Sequence, residues 1–166
     1  MAEALVQALI DGIERYGPLS EDSLALDLYC GVGLFSAFLA PRAGSLIGIE
    51  ASPSAVDDFA VNLDEFDHVA IYEGAVEEVL PQLDLQPDLI VADPPRAGLE
   101  RQALDAIVNL TPPLFAYISC DPATVSRDAK RLRAAGFRLL EITPFDVFPQ
   151  TFHIESLSFW EPETRA

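Results

Sequence analysis

Apolar runs of six to nine residues alternate along this chain with segments whose apolar positions recur every third or fourth residue. The runs are LALDLY (24–29), SLIGIE (45–50), HVAIYE (68–73), DLIVAD (88–93), LFAYIS (114–119), FRLLEITPF (137–145) and HIESLSFW (153–160). Their length and their β-branched and aromatic content predict strands. Between them the spacing predicts helices over 3–16, 33–40, 53–65, 99–110 and 122–135, with a short one near 75–82. Ser52-Pro53 and Asp121-Pro122 each set a capping side chain ahead of a proline whose fixed φ suits the first helical turn. Gly136 follows the 122–135 helix, where a left-handed residue closes the last turn.

Strands alternating with helices predict an α/β domain built on a mostly parallel sheet with helices on both faces. The early strands are apolar nearly throughout, as strands covered twice should be. No helix separates the last two, so they are expected to be antiparallel neighbours. The expected architecture is a seven-stranded sheet, mostly parallel, with an antiparallel pair at the end of the chain. A length of 166 residues suits one domain, 1–166, and leaves little room for a second.

Composition narrows the function classes. No apolar stretch reaches the roughly 18 residues that a membrane helix needs. The opening MAEALVQALIDGIERYG carries acids and no basic run ahead of an apolar core, unlike a secretion signal. Two distant cysteines make neither a disulfide framework nor a zinc spacing, so no metal is expected and a reducing cytoplasm is the expected location. The net charge of −17 argues against extensive phosphate binding by the chain as a whole. The few bases are bunched, however: Arg127, Lys130, Arg131, Arg133 and Arg138 follow the segment SCDPAT. They read either as a solvated helix face or as a local basic patch beside a site.

Four segments carry candidate chemistry. In DLYCGVGLFS (27–36), Gly31 and Gly33 let the backbone turn tightly and approach a ligand at the start of a helix. Glu50 ends the next strand, where a carboxylate can accept hydrogen bonds from ribose hydroxyls, and the two features together favour a nucleoside-bearing cofactor. Cys30, between an aromatic residue and a glycine, reads as structural. In DLIVADPPRAGL (88–99), Asp93 ends its strand on the sheet edge where open α/β sheets bind ligands, ahead of a rigid Pro94-Pro95 turn. In YISCDPAT (117–124), Cys120 sits at a strand tip, read either as a small packed residue or as a nucleophile facing the positive end of the helix that starts at Pro122. In FPQTFHIES (148–156), His153 and Glu155 share one face of a strand, and a carboxylate in so apolar a strand needs a partner or a purpose.

In this order and spacing, the four segments resemble the catalytic domain of the RNA uracil-C5 methyltransferases, which make 5-methyluridine in tRNA or ribosomal RNA from S-adenosylmethionine. DLYCGVG looks like the first cofactor motif, DPPRAGL like the aspartate motif, YISCDPAT like the nucleophile motif, and FPQTFHIE like the closing His-x-Glu motif. The likeness runs over about residues 3–161. It implies the class I methyltransferase fold, a Rossmann-like sheet that also ends antiparallel. It implies S-adenosyl-L-methionine as cofactor and an RNA as partner, with Cys120 as nucleophile and Glu155 as general base. Tyr29, Glu50 and Asp93 would line the cofactor and target pockets. Thiolate addition at uracil C6 would make C5 nucleophilic, and a carboxylate would remove the C5 proton before the thiol leaves. The target uridine would be turned out of its stack.

The chain departs from the family pattern in places. Leu34 stands where many members have Asn, and Ala75 where another polar cofactor contact falls. The Gln-x-Asn segment ahead of the first helix, the N-terminal RNA-binding domain and the central insertion of full-length members have no counterpart in 1–166. On this reading phosphate binding belongs mainly to those parts, and the chain alone is expected to bind cofactor weakly and to show little activity. Competing readings are an RNA or DNA cytosine-C5 methyltransferase, an amino-group methyltransferase, and a degenerate domain that binds cofactor without catalysis. DNA cytosine enzymes carry Pro-Cys in the aspartate motif, which here reads DPPRAG, and RNA cytosine enzymes usually carry a cysteine there as well. An amino-group enzyme would have no use for Cys120 or Glu155.

Overall fold

The computed structural model describes residues 2–146 and 154–163. Among these, seven strands form one sheet: β1 (Leu24–Leu28), β2 (Ser45–Glu50), β3 (Val69–Glu73), β4 (Leu89–Ala92), β5 (Leu114–Ser119), β6 (Phe137–Phe145) and β7 (Glu155–Pro162). Their order across the sheet is β3-β2-β1-β4-β5-β7-β6. The pairs from β3 to β5 are parallel, and β7 lies antiparallel to both β5 and β6. The helices are α1 (Ala2–Tyr16), α2 (Leu34–Leu39), α3 (Pro53–Asn62), α4 (Val76–Val79), α5 (Arg101–Leu110) and α6 (Pro122–Ala134). The α/β architecture, the parallel body and the antiparallel end are those expected from the hydrophobic pattern.

The helices cover both faces. On one face Val6, Leu9, Ile10 and Ile13 of α1 pack with Phe35 and Leu39 of α2 and Phe59 of α3. On the other, Val76 of α4, Leu104 and Ile107 of α5 and Leu132 of α6 close over Leu26, Leu28, Ile90 and Phe115. The i, i+3, i+4, i+7 spacing in α1 explains why that sequence forms a helix there, and each fully buried aliphatic side chain contributes roughly 1.5–3 kcal/mol.

Local chemistry accounts for the helix boundaries, with two departures from expectation. The segment 75–82 divides into α4 and a 3-10 turn over Leu80–Gln82, because Pro81 lacks the N–H that would continue the α-helical ladder. Ser52 caps α3 only by position: its hydroxyl pairs with Ser54, and no side-chain bond closes the helix start. Asp121 caps α6 as its sequence suggests, accepting hydrogen bonds from the N–H groups of Ala123 (2.8 Å) and Thr124 (2.9 Å). Gly136 takes φ +85° after α6.

The chain leaves β1 towards β2 and β3 on one side and returns to β4 and β5 on the other. That reversal places a crevice outside the carboxyl ends of β1 and β4, the position at which open α/β sheets bind ligands.

Candidate active site at the carboxyl ends of the strands

β1 ends in a left-handed turn. Tyr29 has φ +60°, uncommon for a bulky residue and a sign of a constrained position. Gly31 (φ +55°) and Gly33 (φ +92°) carry the chain on into α2. A methyl group on Gly31 would meet no atom within 4 Å, so open space lies beside this turn. The turn is tied to the tip of β2 by Glu50, whose two carboxylate oxygens accept hydrogen bonds from the N–H of Gly31 (2.9 Å) and of Ser52 (2.8 Å). Glu50 is thus a structural strut as well as a cleft-lining acid, and each oxygen keeps acceptor capacity for a further donor.

A cleft of about 490 Å³ opens here, lined by Tyr29, Glu50, Ala75, Glu77, Asp93 and Pro94 among others. It joins three sequence-predicted cofactor residues, Tyr29, Glu50 and Asp93, with Gly31 and Gly33 in the adjoining turn. The wall at Ala75 and Val76 is apolar and suits a flat heteroaromatic group. A larger hollow, of about 530 Å³ and lined by Asp84, Asp88 and Thr111, lies elsewhere; of the four candidate segments it touches only Asp88, at the far end of its strand from Asp93.

Beneath the cleft lies Asp27, which the sequence reading did not single out. It is fully buried in β1, on the face towards α2, and its Oδ2 accepts a hydrogen bond from Ser36 Oγ at 2.6 Å. Its Oδ1 has no partner, and neither has the buried hydroxyl of Tyr29. Burial pushes the Asp27 carboxyl up to about 7, and the like charges of Asp93 and Glu50 add to that, against the hydrogen bond from Ser36. Two buried polar atoms without partners, two residues apart in the chain, are unusual, since buried polar groups are almost always bonded. A signal was present in the sequence: a lone acid within the apolar run LALDLY requires a partner or a purpose. Cys30 is buried and its thiol is pushed well up from its ordinary value, chiefly by burial, in keeping with a structural role.

The remaining candidate residues lie at the ends of β4, β5 and β7. Asp93 follows β4 directly and its N–H donates to Leu28 O, so the loop starts in register with β1. Its side chain keeps open surface towards the cleft, yet the surrounding walls thin out the water. That loss of solvation pushes its carboxyl up to about 6, and the negative charge of Glu155 adds to the effect. Along the antiparallel β5–β7 pair Ser119 faces Ser156, and Ser156 Oγ donates to Ser119 O at 3.2 Å. The ladder ends at that pair, with Cys120 the next residue after Ser119 and Glu155 the one before Ser156. Cys120 is half-buried, not enclosed in the core. The first amides of α6 are taken up by the Asp121 carboxylate, so the helix end serves Asp121 before it serves the thiol. His153 and the rest of FPQTFH lie outside the described residues, while Glu155 lies within them.

The basic cluster after Cys120 is offset in part. Arg127 and Arg131 pair with the buried Asp128, and Arg138 pairs with Glu161. A sequence reading sees five bases within twelve residues, and cannot see which of them fold against Asp128 and Glu161.

The model of the family described as tRNA (Uracil-5-)-methyltransferase matches residues 13–161 of the chain. This chain belongs to that family. An uncharacterized RNA methyltransferase of Streptomyces avermitilis is 42% identical over 169 residues, taking in 99% of this chain and 38% of the relative. Another, from Oceanobacillus iheyensis, is 36% identical over 157 residues, with 92% of this chain and 34% of the relative covered. The chain therefore spans between a third and two fifths of the length of these curated relatives. Among solved structures, the tRNA (uracil-54, C5)-methyltransferase of Pyrococcus abyssi, determined with S-adenosyl-L-homocysteine, superposes with a TM-score of 0.79 at 29% identity, over 96% of this chain and 38% of that one. The N-methyltransferase NodS of Bradyrhizobium japonicum superposes with a TM-score of 0.75 at 17% identity, which shows the shared class I methyltransferase fold alone.

Proposed function

We propose that this chain is the catalytic domain of an S-adenosylmethionine-dependent RNA methyltransferase acting on C5 of a uridine in tRNA or ribosomal RNA. The observation that carries the reading is that Asp93, which lines the cleft, Cys120 and Glu155 stand at neighbouring ends of three adjacent strands, β4, β5 and β7. An amino-group methyltransferase needs neither a thiol nor a second carboxylate there, and the aspartate motif lacks the cysteine that cytosine-C5 enzymes carry.

The cleft fits the cofactor on its own chemistry. Glu50 offers acceptors at the tip of β2, Gly31 leaves open space beside the turn, and Asp27 Oδ1 and the Tyr29 hydroxyl are buried without partners. S-adenosylmethionine, when bound there, supplies an electrophilic methyl group. The chain's own residues do the rest. Cys120 Sγ adds to C6 of the uracil, and the electron pair of the C5–C6 bond moves onto C5 and the adjoining carbonyl. Asp93, held with an elevated pKa beside Glu155, offers a hydrogen bond to the base edge. Once C5 carries its methyl group, Glu155 takes the C5 proton, the double bond reforms and Cys120 is expelled as thiolate. For C5 and C6 to come between the cofactor and the thiol, the uridine must leave its stack. The reducing cytoplasm expected from the two unpaired cysteines suits a thiol that must stay unoxidised.

The test is covalent trapping. RNA carrying 5-fluorouridine, incubated with S-adenosylmethionine and the protein, is expected to give a denaturation-resistant adduct, because fluorine at C5 cannot leave as a proton does. Cys120→Ala is expected to abolish it, and an adduct that survives that change refutes the assignment.

A further inference from the structure

We propose that Asp128 is a positioning residue, one that locks the Asp-Pro-Pro-Arg-Ala-Gly loop onto α6 and thereby fixes Asp93 relative to Cys120. This rests on the roles proposed above for those two residues. Asp128 is fully buried in the second turn of α6, eight residues beyond Cys120. Its Oδ2 accepts hydrogen bonds from Leu99 N–H (3.1 Å) and from the Tyr117 hydroxyl (2.9 Å). Arg127 donates to both of its oxygens, through Nε to Oδ1 at 2.9 Å and through Nη2 to Oδ2 at 3.1 Å, and Arg131 Nη1 reaches Oδ1 at 3.5 Å. One carboxylate thus ties together the loop after β4, the body of β5 and α6.

The same stretch of loop is stitched to α6 at two further points. Thr124 Oγ1 donates to Arg96 O at 3.0 Å, and Arg127 Nη2 donates to Ala97 O at 2.7 Å. Gly98 lies at φ +77°, and a methyl group there would collide with the Thr124 side chain and come within 2.5 Å of Asp128 Oδ2. The loop therefore approaches the helix as closely as a backbone can. Along residues 96–99, the backbone groups of Arg96, Ala97 and Leu99 are each held by an α6 side chain, while Asp93 at one end of the loop lines the cleft and Cys120 lies just ahead of α6.

Fold stability alone is a weak reason to keep this carboxylate. Burying an ion pair seldom adds net stability over a well-packed apolar residue of similar volume, because the charges lose their hydration. What an apolar residue lacks is direction. Only an acceptor with several simultaneous donors sets the loop at one height along α6, and catalytic constellations tolerate little misplacement.

The experiment follows the Asp93 carboxyl by 13C NMR across pH in the chain as it stands, with no cofactor or RNA. Three variants are compared with the wild type: Asp128→Asn, Tyr117→Phe, which keeps the ring and removes only the hydroxyl, and Ile13→Ala in the core of the opposite face as a control for general destabilisation. Asp93 is exposed at the cleft and its carboxyl is held up by the walls around it and by Glu155, so a loop that slips along α6 carries it out of that setting. In Asp128→Asn and Tyr117→Phe its titration midpoint is expected to fall by half a pH unit or more towards the ordinary carboxylate range, while Ile13→Ala leaves it in place. An unmoved midpoint in Tyr117→Phe and in any folded Asp128→Asn overturns the proposal, as does an equal fall in the control. The measurement is independent of the Cys120 adduct, so failure of the methyl-transfer reading and failure of this one are told apart.

Discussion

Replacing Asp27 by Asn keeps the shape of the side chain and removes its charge, and the consequence can be worked from the structure. In the folded chain the Asp27 carboxyl titrates at about 7, raised from an ordinary 3.8 chiefly by burial. The folded protein thus holds this proton more tightly than the unfolded one. The stability contributed by the protonated group is complete below the unfolded midpoint and is lost as pH rises towards and through 7. Each pH unit inside that interval is worth ~1.4 kcal/mol, so between pH 5 and pH 8 the wild type forfeits roughly 2.5 kcal/mol on account of this one group. That figure is an upper limit, because water penetration softens the cost of a buried charge. In Asp27→Asn, Ser36 Oγ can still donate to the side-chain oxygen at the Oδ2 position, and the amide nitrogen stands unpaired where Oδ1 was. The unpaired nitrogen costs the same at every pH and cancels in the comparison. Urea unfolding of both proteins at pH 5 and pH 8 is the assay. The variant is expected to gain roughly 2.5 kcal/mol on the wild type between the two conditions. Parallel pH profiles for the two proteins would refute the reasoning, since they would mean that Asp27 is ionised at pH 5 without penalty.

Two other outcomes follow from the site. Glu50→Ala removes the acceptor for Gly31 N–H and Ser52 N–H, and calorimetry with S-adenosyl-L-homocysteine is expected to show binding weakened about tenfold or more, the worth of one charge-assisted hydrogen bond; an unchanged Kd would remove Glu50 from the cofactor site. Glu155→Gln is expected to stall after methyl transfer, so that mass spectrometry finds a methylated uracil still joined to Cys120, and normal turnover by this variant would assign the proton to another base.

Much of the site was legible because motif and strand end coincide. Asp93 and Cys120 each follow an apolar run directly, and in a parallel sheet such positions meet on one edge whatever the intervening helices contain. Glu50 was legible as a cleft residue, while its second role, bracing the glycine turn through Gly31, needed the observed distance. Asp128 was not legible at all. In the segment SRDAK it looks like any solvated helix acid, and its burial depends on Leu99 and Tyr117, which lie 29 and 11 residues away. The neighbouring arginines were open to two readings for the same reason: that Arg127 and Arg131 share Asp128, and that Arg138 meets Glu161, is decided only by folding.

By itself, then, the sequence determined the order of the elements, the antiparallel finish of the sheet and the segments that carry chemistry. These follow from periods of two and 3.6 residues and from turn residues acting within a few positions of themselves. Tertiary structure alone decided which polar groups lose their water. Asp27 sits in the apolar run LALDLY and Asp128 in the polar stretch SRDAK, yet folding buries both, leaving the first with an unpaired oxygen and surrounding the second with donors. The difference lies in what the rest of the fold brings within about 3 Å, and hydrogen bonds and desolvation act only at that range.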